Sequence, residues 1–412
     1  MTLSAPLSAR PAVVTDPVRV MVVDDSVVIR GLIGRWVDED PALAVVSSHR
    51  NGRLAVEDIE RSDPDVVVLD IEMPDMDGLT ALPLMLKKKP GLIVIMASTL
   101  TRRNAEISLK ALSLGAADYI PKPESNSGIT TSVDFRRDLL DKVRSLGQRA
   151  RLRAGRHVTA HAPAAPGLAS RPLASAAPAR PAPAPLARPA TTATTATTPA
   201  PAMHAAPGGT FRLRPFTAHA PKVLVIGSST GGPQALAVLF EAIAPAIARV
   251  PVLLTQHMPP TFTAILAEHI AKTTGRHAAE AEHGEAIEPG RIYVAPGGRH
   301  MLVAKRGTQA FIEIDNGPAV NFCKPAVDPM FDTASAAYGS GVLGVVLTGM
   351  GADGARGAVT IANAGGNIIA QDEASSVVWG MPGATAQSGA CAAVLPLTEI
   401  GPRIKRILGG ER

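Results

Sequence analysis

Cysteine is nearly missing from this chain of 412 residues: Cys323 and Cys391 stand alone, without metal-type spacing. That argues against a disulfide framework and points to a reducing, cytoplasmic setting. Aromatic residues are scarce as well, at 3%. No apolar run reaches the roughly 20 residues needed to span a bilayer, and the N-terminus lacks the apolar core of a signal peptide, so no membrane insertion is expected. Acidic residues vanish between 151 and 220, where eight Arg and no Lys, Asp or Glu occur. That stretch carries +8 against a formal total of +5, so the rest of the chain sums to −3. A basic patch on a folded surface would point to nucleic acid. Arginines scattered through a low-complexity segment, with no aromatics between them, do not, and no nucleic-acid partner is expected.

What is present is the composition of a globular protein, 46% hydrophobic and 19% charged, on a chain too long for one core. Residues 157–209 are built from Ala, Pro, Thr and Arg without hydrophobic periodicity. Such a segment cannot bury enough apolar surface to offset its ordering entropy, so it reads as a disordered tether of polyproline II character. The expected organisation is a flexible extension over 1–16, a first domain over 17–147, a linker over 148–220 and a second domain over 221–409.

The first domain alternates strand and helix signals. Short apolar runs at 18–23, 66–69, 92–96 and 118–120 are separated by helical patterns near 53–61, 78–87, 102–114 and 133–146, with a further helix pattern through Val28, Ile29, Leu32, Ile33 and Trp36. That is an α/β chain with a parallel sheet, in which function collects at the carboxyl ends of the strands. Those ends carry Asp24, Asp25, Asp70, Ser98 and Lys122. Singly each has a structural explanation: Asp25 or Ser26 as a helix cap, Lys122 as a solvated lysine. Together, three carboxylates in one crevice repel unless a cation sits among them, and a hard divalent ion such as Mg²⁺ suits oxygen ligands. A lysine and a hydroxyl beside them can hold the oxygens of a phosphoryl group. The pattern resembles the receiver domain of two-component response regulators, a doubly wound, flavodoxin-like fold. The resemblance implies Asp70 as phosphoacceptor, Asp24, Asp25, Asp70 and the main-chain carbonyl of Glu72 as Mg²⁺ ligands, and Ser98, Tyr119 and Lys122 as the switch residues.

The second domain opens on Lys222-Val-Leu-Val-Ile-Gly-Ser-Ser-Thr-Gly-Gly-Pro, a strand, a tight turn and a helix with Pro at its start. Ser229 stands where a dinucleotide-binding fingerprint needs Gly, and Pro233 where a P-loop needs Lys. The spacing Gly227-x-Ser229-x-Gly231 is that of a nucleophile elbow, although any tight turn favours small residues. Further strands deliver His257 after 252–255, Pro296 to His300 after 291–295, and Asp353 after 342–347, with another at 367–370. Singly His257 and Asp353 can be loop or cap residues. With Ser229 they make a hydrolytic triad: a hydroxyl activated by an imidazole, and the imidazole oriented by a carboxylate. The order Ser, His, Asp differs from that of α/β-hydrolases. The histidines 257, 269, 277, 283 and 300 show no metal-ligand spacing. Gly-rich turns at Thr230-Gly231 and Gly349-Met350-Gly351 free N–H groups for an oxyanion. The stretches Asp328-Pro-Met-Phe-Asp332 and Trp379-Gly-Met-Pro-Gly383 shape a substrate groove or are packing turns.

The segments Ile226-Gly-Ser-Ser-Thr-Gly-Gly232, Thr255-Gln-His-Met-Pro259, Ala295-Pro-Gly-Gly-Arg-His300, Pro325-Ala-Val-Asp328, Leu347-Thr-Gly-Met-Gly-Ala-Asp-Gly354 and Gly380-Met-Pro-Gly383 resemble the chemotaxis protein-glutamate methylesterase. That family joins a receiver to a Rossmann-like α/β catalytic domain with a mainly parallel sheet. The resemblance implies Ser229 as nucleophile, His257 as base and acid, Asp353 as orienter, and Thr230 and Met350 at the oxyanion positions. It also implies hydrolysis of glutamate methyl esters on chemoreceptors, deamidation of receptor glutamines, phosphorylation by the chemotaxis histidine kinase, Mg²⁺ for that phosphorylation and no cofactor for the ester chemistry. Ser228 stands where the family more often has Ala, and Thr261 where Gly is frequent. The rival readings are a DNA-binding response regulator, which needs a basic recognition helix, and a nucleotide-binding or scaffold domain that has lost its chemistry.

Overall fold

The computed structural model describes residues 16–122, 133–155, 203–206 and 209–410. The first sheet has β1 (Val18–Val23), β2 (Leu43–His49), β3 (Val66–Asp70), β4 (Ile93–Thr99) and β5 (Asp118–Lys122), in the order β2-β1-β3-β4-β5. Every pairing is parallel. The runs Val20 to Val23 and Val66 to Leu69 are buried throughout, as a sheet covered on both faces requires. Helices α1 (Val27–Asp38), α2 (Gly52–Ser62), α3 (Gly78–Lys88), α4 (Arg102–Ser113) and α5 (Val133–Arg153) supply the covering layers. Ser26, Asn51, Asp77 and Thr101 cap the first four by accepting a main-chain N–H, so the cap beside the acidic strand end is Ser26.

The strand signals read from the sequence fall on β1, β3, β4 and β5. Strand β2 carries no such signal, since it is a half-exposed edge strand running into Ser47, Ser48 and His49. Helix α5 continues past the expected 146 to Arg153, where Arg151 is buried against Asp16 and Pro17.

The second sheet is built from β8 (Val223–Ser228), β9 (Val252–Gln256), β10 (Ala278–Glu280), β11 (Ile292–Val294), β14 (Val342–Val346), β15 (Asn367–Gln371) and β16 (Ala393–Leu395). Its order is β10-β11-β9-β8-β14-β15-β16, parallel throughout. An antiparallel hairpin of β12 (His300–Arg306) and β13 (Gln309–Asp315) stands beside it, a feature the sequence reading did not anticipate. Around the sheet lie α6 (Gly232–Ile243), α7 (Phe262–Thr274), α8 (Val327–Tyr338), α9 (Ala355–Asn363), α10 (Met381–Gln387) and α11 (Leu397–Gly409). A small ribbon, β6 (Met203–Ala206) with β7 (Gly209–Arg212), precedes them. From there Arg214 N donates to Cys391 O at 2.8 Å and Thr217 N to Asn367 Oδ1 at 2.9 Å, which lays this segment on the second sheet. Most of the expected tether lies outside the described residues. Among the described residues, no helix is long and apolar enough to cross a membrane.

Both sheets are α/β, as the sequence implies. In each, the strand order reverses beside the first strand, between β1 and β3 and between β9, β8 and β14, and such a reversal opens a crevice at the carboxyl ends.

Candidate active site

At the first crevice Asp24, Asp25 and Asp70 place carboxylate oxygens within 4.8 Å of one another. Lys122 Nζ reaches Asp24 Oδ2 at 2.6 Å and Asp70 Oδ1 at 2.7 Å. One ammonium faces three carboxyl groups, so negative charge is left over. Burial, with Asp24 adding to it against the pull of Lys122, lifts Asp70 to about 6. An all-oxygen donor set with surplus negative charge fits a Mg²⁺ ion. Ser98 Oγ lies 3.0 Å from Ser108 Oγ at the end of β4, and Tyr119 is buried on β5. Glu72 is exposed and, with Asp25, lines a cavity of about 390 Å³ beside the carboxylates.

At the second crevice Ser229 directly follows β8. Its N–H donates to Thr348 O at 3.0 Å, and its carbonyl accepts from Gly232 N at 2.7 Å and Gln256 Nε2 at 2.9 Å. The turn and the loop that faces it each demand a glycine. Gly231 has φ 72°, and a Cβ on Gly349 would stand 2.8 Å from Ser229 Cβ and 2.3 Å from Met381 Sδ. The two serines differ sharply: Ser228 is fully buried and donates its hydroxyl to Gln256 Oε1 at 2.6 Å, whereas Ser229 is half-buried. Among the described residues the Ser229 hydroxyl makes no hydrogen bond, which leaves it open to the crevice.

His257 follows β9, and its N–H donates to Ser228 O at 3.0 Å, which joins the two turns main chain to main chain. Its Nε2 lies 2.8 Å from Asp353 Oδ2. Asp353, at the end of the β14 loop, also accepts from Val327 N at 2.6 Å, Asp328 N at 3.1 Å, Gly354 N at 3.0 Å and Asn321 Nδ2 at 3.1 Å. Two of those donors are the first N–H groups of α8, so a helix terminus stabilises the buried carboxylate. Burial alone would raise its pKa; the His257 bond and these N–H groups reverse that and hold it low. Burial likewise pushes His257 down, but Asp353 and then Cys323 overcome this and hold it at about 10. The structure thus pairs His257 with Asp353 and sets Ser229 on the neighbouring strand end, without a bond between the Ser229 hydroxyl and the imidazole. Thr230 is buried, its carbonyl accepting from Thr348 Oγ1 at 2.9 Å, and Met350 lies on the facing loop.

Residues outside the expected set complete the site. Gln256 ties both turns together, its amide donating to Ser229 O and, at 3.2 Å, to His257 O. Buried Asp328 accepts from Gly354 N and Gly357 N at 3.0 and 2.8 Å, bracing the Asp353 loop. Asn321 and Cys323 touch Asp353 and His257 from a loop. Gln256 follows directly on an apolar strand and was findable as a strand-end polar residue; the loop residues carry no periodic signal. Thr261, at a position where glycine is frequent in the resembling family, has φ 74°, the left-handed region that glycine enters freely.

The first domain lies over this edge. Tyr119 stacks on Phe262 with centroids 4.5 Å apart and planes 8° from parallel. Arg102 Nη2 donates to Glu268 Oε1 at 2.6 Å, Gln234 Nε2 to Ala116 O at 2.9 Å, Ser145 Oγ to Met350 Sδ at 3.3 Å and Arg149 Nη2 to Glu373 O at 2.6 Å.

Comparison with known proteins matches residues 20–134 to the response regulator receiver domain and 224–404 to CheB methylesterase. A protein-glutamate methylesterase/protein-glutamine glutaminase of group 2 operon from Bradyrhizobium diazoefficiens is 57% identical over 96% of this chain and 95% of that protein. Its counterpart from Rhodopseudomonas palustris is 56% identical over 100% of both. The Thermotoga maritima CheB methylesterase catalytic domain, known from a crystal structure, is 38% identical, with a TM-score of 0.44, over 46% of this chain and 100% of that one. With relatives this similar along its whole length, a receiver at one end and an esterase domain at the other, the chain belongs to the protein-glutamate methylesterase/protein-glutamine glutaminase family.

Proposed function

We propose that this chain is a cytoplasmic, phosphorylation-activated serine hydrolase that removes methyl groups from glutamate methyl esters of methyl-accepting chemoreceptors and deamidates selected receptor glutamines. The observation that carries the catalytic part is the 2.8 Å His257–Asp353 pair on the strand end next to the open Ser229 hydroxyl. Asp353 holds the proton of His257 on Nε2, so Nδ1 is the nitrogen that takes the Ser229 proton as Oγ attacks the ester carbonyl. The main-chain N–H groups of Thr230 and of Met350 are the donors for the oxyanion. The imidazolium then protonates departing methanol, and water, activated by the same nitrogen, releases the glutamate carboxylate. Glutamine follows the same route with ammonia as leaving group.

The proposed regulation starts at Asp70, phosphorylated by a chemotaxis histidine kinase. Asp24, Asp25, Asp70 and the Glu72 carbonyl would hold Mg²⁺, which neutralises the phosphoryl oxygens when bound; no cofactor serves the ester chemistry. Lys122 and Ser98 would take the remaining phosphoryl oxygens, and Ser98 moves away from Ser108 to do so. Tyr119, on the same edge strand as Lys122, is the residue whose shift would reach Phe262. With both ring nitrogens engaged, His257 is protonated at neutral pH, the state of a resting, covered site.

Peptide mapping of the chain after treatment with an active-serine phosphonate reagent tests the assignment. The expected adduct is on Ser229, lost in the His257→Ala chain. An adduct on Ser228, or none at either serine with the receiver phosphorylated, removes Ser229 from its role.

A further inference from the structure

The pair His257–Asp353 is gripped from one side by a single tight turn. Val320 N donates to Cys323 O at 3.1 Å and Cys323 N to Val320 O at 2.9 Å, so Asn321 and Phe322 are the two central residues of a hairpin turn. Both have positive φ, 52° and 63°. Asn tolerates this conformation, but Phe does so at a cost of order 1 kcal/mol or more, which a fold retains where the surroundings over-determine it. The turn gains no burial at its tip, since Phe322 is 82% exposed, with Arg137 of α5 4.8 Å above its ring. What it delivers are its flanking polar groups. Asn321 Nδ2 bridges Asp353 Oδ1 at 3.1 Å and Asp328 Oδ2 at 3.2 Å, and Cys323 Sγ lies 3.3 Å from His257 Nδ1.

We propose that Cys323 is a positioning residue of the esterase, its thiol held by this turn against the imidazole nitrogen that Asp353 leaves for Ser229. The inference rests on the hydrolase reading above and adds a second hold on the base. An imidazole anchored only through Nε2 can swing about that bond, whereas one also held at Nδ1 points its accepting nitrogen in a fixed direction before the hydroxyl arrives. Thiol and hydroxyl share that nitrogen in turn: in the protonated resting state Nδ1–H donates to the sulfur, and once that proton has passed to water the nitrogen is open to accept from the Ser229 O–H. The charged and titratable groups around the imidazole are Asp353 from the β14 loop, Cys323 itself and, behind Asn321, Asp328 of α8, whose Oδ2 lies 3.4 Å from Arg356 Nε of α9. Removal of the thiol leaves Asp353 as the one direct partner among these.

The test is the pH profile of kcat and kcat/KM for ester hydrolysis by the full chain, treated with a small acyl phosphate as phosphodonor, in wild type, Cys323→Ala, Cys323→Ser and Ser229→Ala. In Cys323→Ala we expect kcat to fall about five- to tenfold, the scale of one hydrogen bond, with KM unchanged and the acid limb of kcat/KM moved to lower pH. Cys323→Ser, which keeps a hydrogen-bonding partner at Nδ1, is expected to restore kcat to within about twofold. A Cys323→Ala profile superimposed on wild type overturns the proposal, as does a loss that Cys323→Ser fails to rescue while both variants melt like the parent. Activity that survives Ser229→Ala but not Cys323→Ala would instead make the thiol the nucleophile and overturn the serine reading as well. Loss in Ser229→Ala alone leaves the hydrolase reading standing and refutes this one.

Discussion

At the scale of single residues, the account turns on what surrounds His257. Its pKa is raised to about 10, because the bonds to Asp353 and Cys323 outweigh burial. Against an ordinary unfolded value near 6.5, a raised folded value means that the proton is held more tightly in the native state. The associated stability is fully present below about pH 6.5 and is lost as pH climbs toward 10. Denaturant titrations from pH 6 to 10 are expected to show this decline in wild type and a flatter curve in His257→Gln. An equally steep curve in the variant would place the effect elsewhere. Asp353→Asn keeps the shape of the carboxylate but imposes the wrong tautomer on the ring. It is expected to lower kcat about 10⁴-fold with little change in KM, measured as methanol release. Much of this chemistry was legible in the sequence, because acids, a histidine and a serine stood directly after apolar strand runs at 70, 229 and 257. Cys323 and Asn321 were not, since a turn outside the sheet brings them to the site through tertiary contacts and no periodicity marks it.

Among the elements, the turns rather than the helices set the geometry. The Ser229 and Asp353 loops approach so closely that Gly349 has no room for a side chain, its Cβ position lying 2.8 Å from that of Ser229. Gly349→Ala is therefore expected to displace the Ser229 turn and cut kcat by more than tenfold while the receiver still accepts phosphate; wild-type turnover would show that the loop can yield. At the start of α7, Thr261 holds φ 74°, an outlier for a β-branched residue. Thr261→Gly is expected to stabilise the chain by about 1 kcal/mol, read from chemical denaturation, and an unchanged or lower value contradicts the strain argument. The same contrast explains which elements the sequence revealed. The central strands are apolar on both faces and announce themselves. Edge strand β2, the β12–β13 hairpin and the three-residue β10 and β16 are short or half-exposed, and their identity comes from the strands they pair with.

Across the whole molecule, the surface formed by α4, β5 and α5 meets the esterase edge at Phe262, Glu268, Met350, Phe322 and Glu373. The stack of Tyr119 on Phe262 involves the strand that also carries Lys122 into the Asp70 crevice. An aromatic pair of this kind contributes about 1 kcal/mol, enough for a local change at Asp70 to shift the balance between covered and open states. Removal of residues 1–155, which takes α5 away whole, is expected to raise basal ester hydrolysis. Tyr119→Ala should do so in part, and basal rates at or below wild type in both would contradict a covering role. None of these contacts was visible beforehand, because residues on separate domains that pair across an interface share no local pattern. The most direct measurement is methanol release from methylated chemoreceptor by the full chain and by Ser229→Ala, each with and without an acyl phosphate donor. The account requires release by wild type, a rise on phosphorylation, and a fall of about 10⁴-fold or more in the variant under both conditions; methanol released by Ser229→Ala at the wild-type rate would contradict it.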